Sequence, residues 1–326
     1  MRRALKIFTL MLISAPIPFL AMGSPPQDSA GTDEGLSYGK LIPATSTMVR
    51  AWDIPRNPLT DSTLDGTSRG AMVRRGFQLF MQTPTEAPRF TANQLSCSNC
   101  HLNAGQREQA LPLVGVSHVF PEFNKRSGRL FSLKERIVGC FMRSENATGV
   151  RTQVAERDRS NSFPDTTAEE VAALATYINW ISDSVNPAEK LPWRGKNVIP
   201  PDSCLSIERL DPARGKRLYL ANCTTCHGKN GQGVQVGDKK PGPLWGPKSW
   251  NDGAGAARIY TLAGFIRFAM PYLKPGSLTN EDAQHIAAYI NSRSRPSYPF
   301  KHKDYTASGI PRDAVYYQSP RNRGRD

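Results

Sequence analysis

The chain has 326 residues, enough for two domains of ordinary size, and its 42 lysines and arginines against 28 acids give a formal net charge of +14. That excess favours anionic ligands or acidic protein partners, and the lack of a basic-aromatic binding motif argues against nucleic acid. Beyond residue 20 no segment is long and apolar enough to span a bilayer as a helix.

In chain order, residues 1–23 read as a secretory leader. Arg2, Arg3 and Lys6 precede an apolar run from Ile7 to Leu20, and Ala21-Met22-Gly23 supplies a small-x-small cleavage site. The run is short for a retained anchor, which is the alternative. The expected product is a soluble periplasmic protein with no membrane span once the leader is removed.

A first domain is expected over 24–185. It holds a short helical segment, Arg75-Gly-Phe-Gln-Leu-Phe80, then Cys97-Ser-Asn-Cys100-His101, and a closing helix from Thr167 to Ser182. Residues 186–208, with Pro187, Pro192, Pro200 and Pro201, read as an ordered linker. A second domain over 209–300 repeats the plan: Asp211-Pro-Ala-Arg-Gly-Lys-Arg-Leu-Tyr-Leu, then Cys223-Thr-Thr-Cys226-His227, then Thr279 to Ser294. The two closing segments align without gaps. Each opens on Thr with an acid three residues on, a capping-box pattern, and pairs Leu174 with Ile286, Tyr177 with Tyr289 and Ile178 with Ile290 at helical spacing. Residues 301–326 are polar and Arg-rich and read as a loosely packed tail.

Six cysteines in an oxidising compartment ordinarily suggest three disulfides, but four of them stand in two C-x-x-C-H pentapeptides. Haem c attachment needs two thiols for the vinyl groups and an adjacent imidazole for the iron, and this spacing supplies all three. A thioredoxin-like pair would want a βαβ setting, and zinc a second Cys/His pair, and neither is visible. Cys97 and Cys100, and Cys223 and Cys226, are therefore assigned to two covalent haem c groups, with His101 and His227 as iron ligands. A helix before each haem and a helix closing each domain resembles the class I cytochrome c plan, a mainly α fold in two domains.

The sixth ligands are expected to differ. Met270-Pro271 lies 43 residues after His227, just before the closing helix, and Met270 is assigned to the second iron, with His285 set aside as a helix-surface histidine. The first domain lacks such a Met-Pro, and its equivalent stretch offers Cys140. The alternatives are a Cys140–Cys204 disulfide, Met142, or His118, which sits in an apolar run and reads as core.

The segment from Cys97 to Asn146 resembles the dihaem thiosulfate dehydrogenase family. The shared elements are Cys-x-x-Cys-His-Leu, Val114 to Val116, Pro121-Glu-Phe, Arg126-Ser-Gly-Arg and, most specifically, Leu-x-x-Arg-Ile-x-Gly-Cys-Phe-x-Arg-Ser. The likeness continues more weakly to about residue 295. It implies a catalytic haem with His/Cys ligation at which two thiosulfates are joined into tetrathionate, sometimes reversibly, while the second haem passes electrons to a periplasmic acceptor such as a cytochrome c. It also implies that Cys140 is the distal ligand and that Arg126, Arg136 and Ser144 hold anions, with Arg129 and Arg143 at the edge of the cluster. Arg forks suit sulfonate oxygens, and joining two dianions requires fixed cations. Some members place Lys before the distal Met; here Ala269 stands there, which implies a fixed His/Met haem. A Sox-type cytochrome subunit acting with a carrier protein, and a dihaem electron shuttle without substrate, are the alternative functions; no dihaem-peroxidase pattern surrounds the first haem.

Overall fold

The structure is a computed structural model that describes residues 52–149, 164–188, 190–237, 239–306 and 309–317. The leader over 1–23 and the last nine residues of the tail lie outside them. The fold is mainly α, in two lobes, and the described residues belong to one compact unit.

The first lobe is built on a helix crossing. Thr67 caps helix α1 (Ser68–Met81) by accepting from the Gly70 amide at 2.9 Å. Val73, Gly76, Phe77 and Phe80 then fall at i, i+3, i+4 and i+7 and form its buried face. A hairpin of β1 (Glu122–Asn124) and β2 (Arg129–Phe131) pairs Glu122 with Phe131 and leads into α2 (Leu133–Ser144). There Ser132 and Glu135 form a reciprocal capping box. Helix α3 (Glu169–Ser182) closes the lobe across α1. A Cβ on Gly76 would lie 2.1 Å from the Ala173 carbonyl oxygen and 2.7 Å from Tyr177 Cβ, so the crossing requires glycine.

The second lobe repeats it. Asp211 caps α4 (Pro212–Asn222) through the Ala213 and Arg214 amides, with proline at the first helical position. A Cβ on Gly215 would meet the His285 carbonyl oxygen at 2.0 Å and Tyr289 Cβ at 2.9 Å. Helix α5 (Ile259–Ala269) precedes Met270, and α6 (Asn280–Asn291) crosses α4. The aromatic contacts repeat as well: Phe80 and Tyr177 meet at a tilt with centroids 5.5 Å apart, as do Tyr219 and Tyr289.

Three expectations change here. Thr279 caps α6 through the Asp282 amide, but Thr167 caps nothing. Asp165 instead accepts from the Thr167 and Ala168 amides, α3 begins at Glu169, and the Glu170 carboxylate takes a two-pronged pair from Arg89 at 2.7 and 2.6 Å. His285 is not on the surface. It is 3% exposed, and its Nδ1 accepts from the Asp211 amide at 3.0 Å, joining the start of α4 to α6. Finally, residues 301–306 and 309–317 are not loose: Tyr305, Ala314 and Tyr317 form a small buried cluster, and Asp304 and Asp313 are buried in ion pairs with Arg143 and Arg258. Arg-rich composition suggested a solvated face, but the acids and tyrosines between the arginines pack the segment down.

The proline-rich stretch docks on both lobes. Leu191 and Trp193 join the first core, Ile199 joins the second, and the Asn197 carbonyl oxygen would stand 2.0 Å from a Cβ on Gly264 of α5.

Gly76→Ala and Gly215→Ala should each destabilise the holoprotein by about 2 kcal/mol, the range for overpacking a tight contact, as read by chemical denaturation. Gly255→Ala, whose Cβ would enter open space, should be near neutral in the same experiment.

Candidate functional site

The first C-x-x-C-H sits on a tight turn, Cys97–Asn99, fastened at its start. The Cys97 amide donates to Thr83 Oγ1 at 3.1 Å, and the Ser96 amide donates to Asn99 Oδ1 at 2.7 Å. Ten residues on, a loop with left-handed backbone at Asn103, Ala104, Gly105, Gln109 and Leu111 brings the Leu111 carbonyl to the His101 ring. His101 Nδ1 lies 2.6 Å from that oxygen. A carbonyl can only accept, so Nδ1 carries the proton and Nε2 keeps its lone pair for a metal. Burial lowers the His101 pKa, the Leu111 bond opposes this, and the nearby Arg136 charge lowers it further, so the ring is neutral.

Helix α2 supplies the opposing chemistry. Ile137 and Phe141 are its buried anchors. Arg136, Cys140, Arg143 and Ser144 fall at i, i+4, i+7 and i+8 and share one face. Cys140 lies close enough to Cys97 and Cys100 to raise both pKa values, after the larger effects of burial and of Glu145. The Cys100 thiol is pushed up to about 12. Neutral thiols and a neutral imidazole are the donor set that haem c attachment consumes. All six cysteines are free, and Cys204 packs with the second lobe's core, its Sγ 3.9 Å from the Ile199 carbonyl oxygen, so a Cys140–Cys204 disulfide is not formed.

The expected arginine cluster divides. Arg136 is exposed and acts on His101. Arg126, in the hairpin turn, donates through Nη1 to the Gly253 carbonyl and lies 5.5 Å from the Tyr305 ring. Arg143 turns away entirely: it forms a bidentate pair with Asp304 at 2.7 and 2.8 Å, donates to the same Gly253 carbonyl at 3.0 Å and stacks on Tyr298 at 4.0 Å. Arg129 pairs with Glu135 at 2.6 Å on the surface. The Ser144 carbonyl accepts from Asn93. His118 is half-buried, with an unpartnered Nδ1.

One residue escaped the sequence reading. Glu145, directly after α2, is 3% exposed; burial raises its pKa well above the carboxylate range, and Oε2 has no partner. It stands near Cys97 and Cys100. Acidic residues are almost never buried unpaired, so nothing in the string Arg-Ser-Glu-Asn singled it out.

The second C-x-x-C-H occupies the turn Thr224–His227 and its preceding cysteine. Burial pushes the Cys223 thiol up to about 12 and the His227 imidazole down to about 4. His227 Nδ1 has no acceptor, unlike its counterpart. Met270 is half-buried and packs against Leu102 and Ala110 of the first lobe together with Phe265 and Tyr272.

Two such turns, each with paired thiols and a half-buried imidazole whose pKa is lowered, inside a helical lobe, define a dihaem c-type cytochrome. Residues 87–186 match the SoxA/TsdA cytochrome c domain, and residues 210–290 match the family described as cytochrome c oxidase, cbb3-type, subunit III. The thiosulfate dehydrogenase of Stutzerimonas stutzeri is 35% identical over 243 residues, 74% of this chain and 73% of that protein. That of Allochromatium vinosum is 35% identical over 237 residues, 70% and 80%. Among solved structures, thiosulfate dehydrogenase (TsdBA) from Marichromatium purpuratum superimposes with a TM-score of 0.65 at 33% identity, covering 80% of this chain and 53% of that one. This chain thus spans about half the length of that structure. The chain belongs to the thiosulfate dehydrogenase family, and it is an enzyme with two covalently bound haem c groups.

Asp304→Asn should leave Arg143 charged and without its bidentate partner in a buried position, side chains 14% and 3% exposed. The expected loss is about 3 kcal/mol in denaturant unfolding, and Arg143→Met combined with Asp304→Asn should recover part of it.

Proposed function

We propose that this chain, in the periplasm, oxidises two thiosulfates to tetrathionate beside Cys140. The observation that carries the reading is the position of Cys140: on a capped helix, within electrostatic reach of Cys97 and Cys100, with Arg136 one turn before it and Ser144 one turn after. Cys140 is the proposed distal ligand of the first haem, His101 its proximal ligand, and His227 and Met270 the ligands of the second. When bound, the two haems would supply the redox capacity for the two electrons, whose proposed destination is a periplasmic acceptor such as a cytochrome c.

The chain's own residues do the rest. Arg136 and Arg126 offset the charge of incoming dianions, and Ser144 offers a hydroxyl to a sulfonate oxygen; the strength of each contact depends on how much water it excludes. The Cys140 thiolate joins the sulfane sulfur of the first thiosulfate, and two electrons are released. The second thiosulfate attacks that sulfane sulfur, the bond to Cys140 breaks, the thiolate returns, and tetrathionate leaves. One sulfur–sulfur bond is gained overall, two electrons depart and no proton moves. Thiolate exchange at sulfur is facile, which suits Cys to this role. In the reverse direction the same residues hold tetrathionate. No helix among the described residues is long and apolar enough to cross a membrane.

The test is thiosulfate-dependent reduction of the purified holoprotein, with tetrathionate and a reductant for the reverse direction. Cys140→Ala should abolish turnover with both haems retained. Turnover at the wild-type rate would remove Cys140 from the mechanism, and a wild-type chain that thiosulfate does not reduce would support the electron-shuttle alternative. Arg136→Ala should raise KM for thiosulfate about tenfold, equal to the roughly 1.4 kcal/mol of a charge-assisted contact, and the loss should shrink at high salt.

A further inference from the structure

Between the two lobes lies a buried cation without an anion. Arg107, six residues after His101, is 0% exposed. Its Nη2 donates to the Tyr272 carbonyl at 2.9 Å and its guanidinium stacks on the Tyr272 ring at 4.4 Å. Its Nη1 has no hydrogen-bond partner, and among the described residues no carboxylate forms a salt bridge with it. Tyr272 follows Met270 by two residues, and its hydroxyl donates to Asn103 Oδ1 at 3.0 Å. Arg107 therefore joins the loop behind the first haem's histidine to the loop that carries the second haem's proposed methionine, beside the apolar contact of Leu102 and Ala110 with Ala269 and Met270.

A fully buried guanidinium with an orphaned N–H pair is heavily penalised unless an anion meets it. Thiosulfate would have to arrive from solvent, which does not touch this side chain, whereas a group attached covalently to the chain is enclosed with it as the lobes close. The interior carboxylates that a dihaem cytochrome adds to its own chain are haem propionates, whose planar oxygens match the Arg fork.

We propose that Arg107 is the seat of a haem propionate at the seam between the lobes and that its charge sets the reduction potential of that haem. A fixed cation beside a haem favours the added electron, so it raises the midpoint potential. The propionate can belong to either haem, and the one whose potential moves identifies the source.

The experiment is a spectroelectrochemical titration of the purified holoprotein with Arg107→Met, Arg107→Gln and Arg107→Lys, with haem counted per chain. The two neutral variants should lower one midpoint by about 59 mV or more, a tenfold change in a one-electron equilibrium, while Arg107→Lys shifts it by less than half as much. A first-haem shift assigns the propionate to the His101 side and a second-haem shift to the His227 side. If both neutral variants lose one haem while Arg107→Lys keeps two, the charge is required for the seat and the proposal stands. Unmoved midpoints in the neutral variants would overturn it. So would an equal shift in Arg107→Lys, or haem loss in all three variants, since either would make packing on Tyr272 the cause.

Discussion

The bidentate pair between Arg143 and Asp304 holds the functional half of this molecule in place. It is buried at Asp304 and largely covered at Arg143, and it gathers the end of α2, the loop at Gly253 and the segment after residue 300 around one charge pair. Such a pair contributes little net stability over an apolar substitute, yet breaking one side of it is costly. Its value lies in specification: Arg143 can satisfy its fork in one arrangement only, and that arrangement fixes the rotation of α2. The Asn251 amide donating to the Arg143 carbonyl and the Asn251 side chain donating to the Met142 carbonyl lock the same helix end. With α2 rotated this way, Ile137 and Phe141 go to the core and Cys140 to the side of Cys97 and Cys100.

Beneath this lies a duplicated frame. The glycines at 76 and 215 let the first and last helices of each lobe meet backbone to backbone, and Tyr177 and Tyr289 occupy equivalent places beside them. The frames match but the surroundings of the two imidazoles do not. His101 is hydrogen-bonded through Nδ1 to Leu111, whereas His227 Nδ1 has no acceptor. A donated Nδ1 proton makes an imidazole a more basic ligand, so the frame is shared while the surroundings of the two imidazoles differ.

Much of this was legible in the sequence. The C-x-x-C-H spacing is a local chemical requirement, and the 3.6-residue pattern around Tyr177 and Tyr289 is a local packing requirement, so both read directly from the chain. What could not be read were the long-range choices. Arg126 and Arg143 look alike as anion holders in sequence, and only the arrival of Gly253 and Asp304 from more than a hundred residues away shows that Arg143 is committed elsewhere. Thr167 carries the same capping pattern as Thr279, but Arg89 draws Glu170 away, Asp165 holds the Thr167 and Ala168 amides in a turn before the helix, and α3 starts without a side-chain cap. His285 sits in a polar stretch of sequence and is buried because α4 packs over it. Glu145 and Arg107 gave no signal at all, because burial of an unpaired acid or guanidinium follows from tertiary structure alone.

The claim on which the rest turns is that the thiolate of Cys140 is the sixth ligand of the first haem. Electron paramagnetic resonance of the oxidised holoprotein, wild type against Cys140→Ala, tests it most directly. The account predicts two low-spin ferric signals in the wild type, one of thiolate type that vanishes in the variant and one that is unchanged. A spectrum that is the same in both proteins would contradict it.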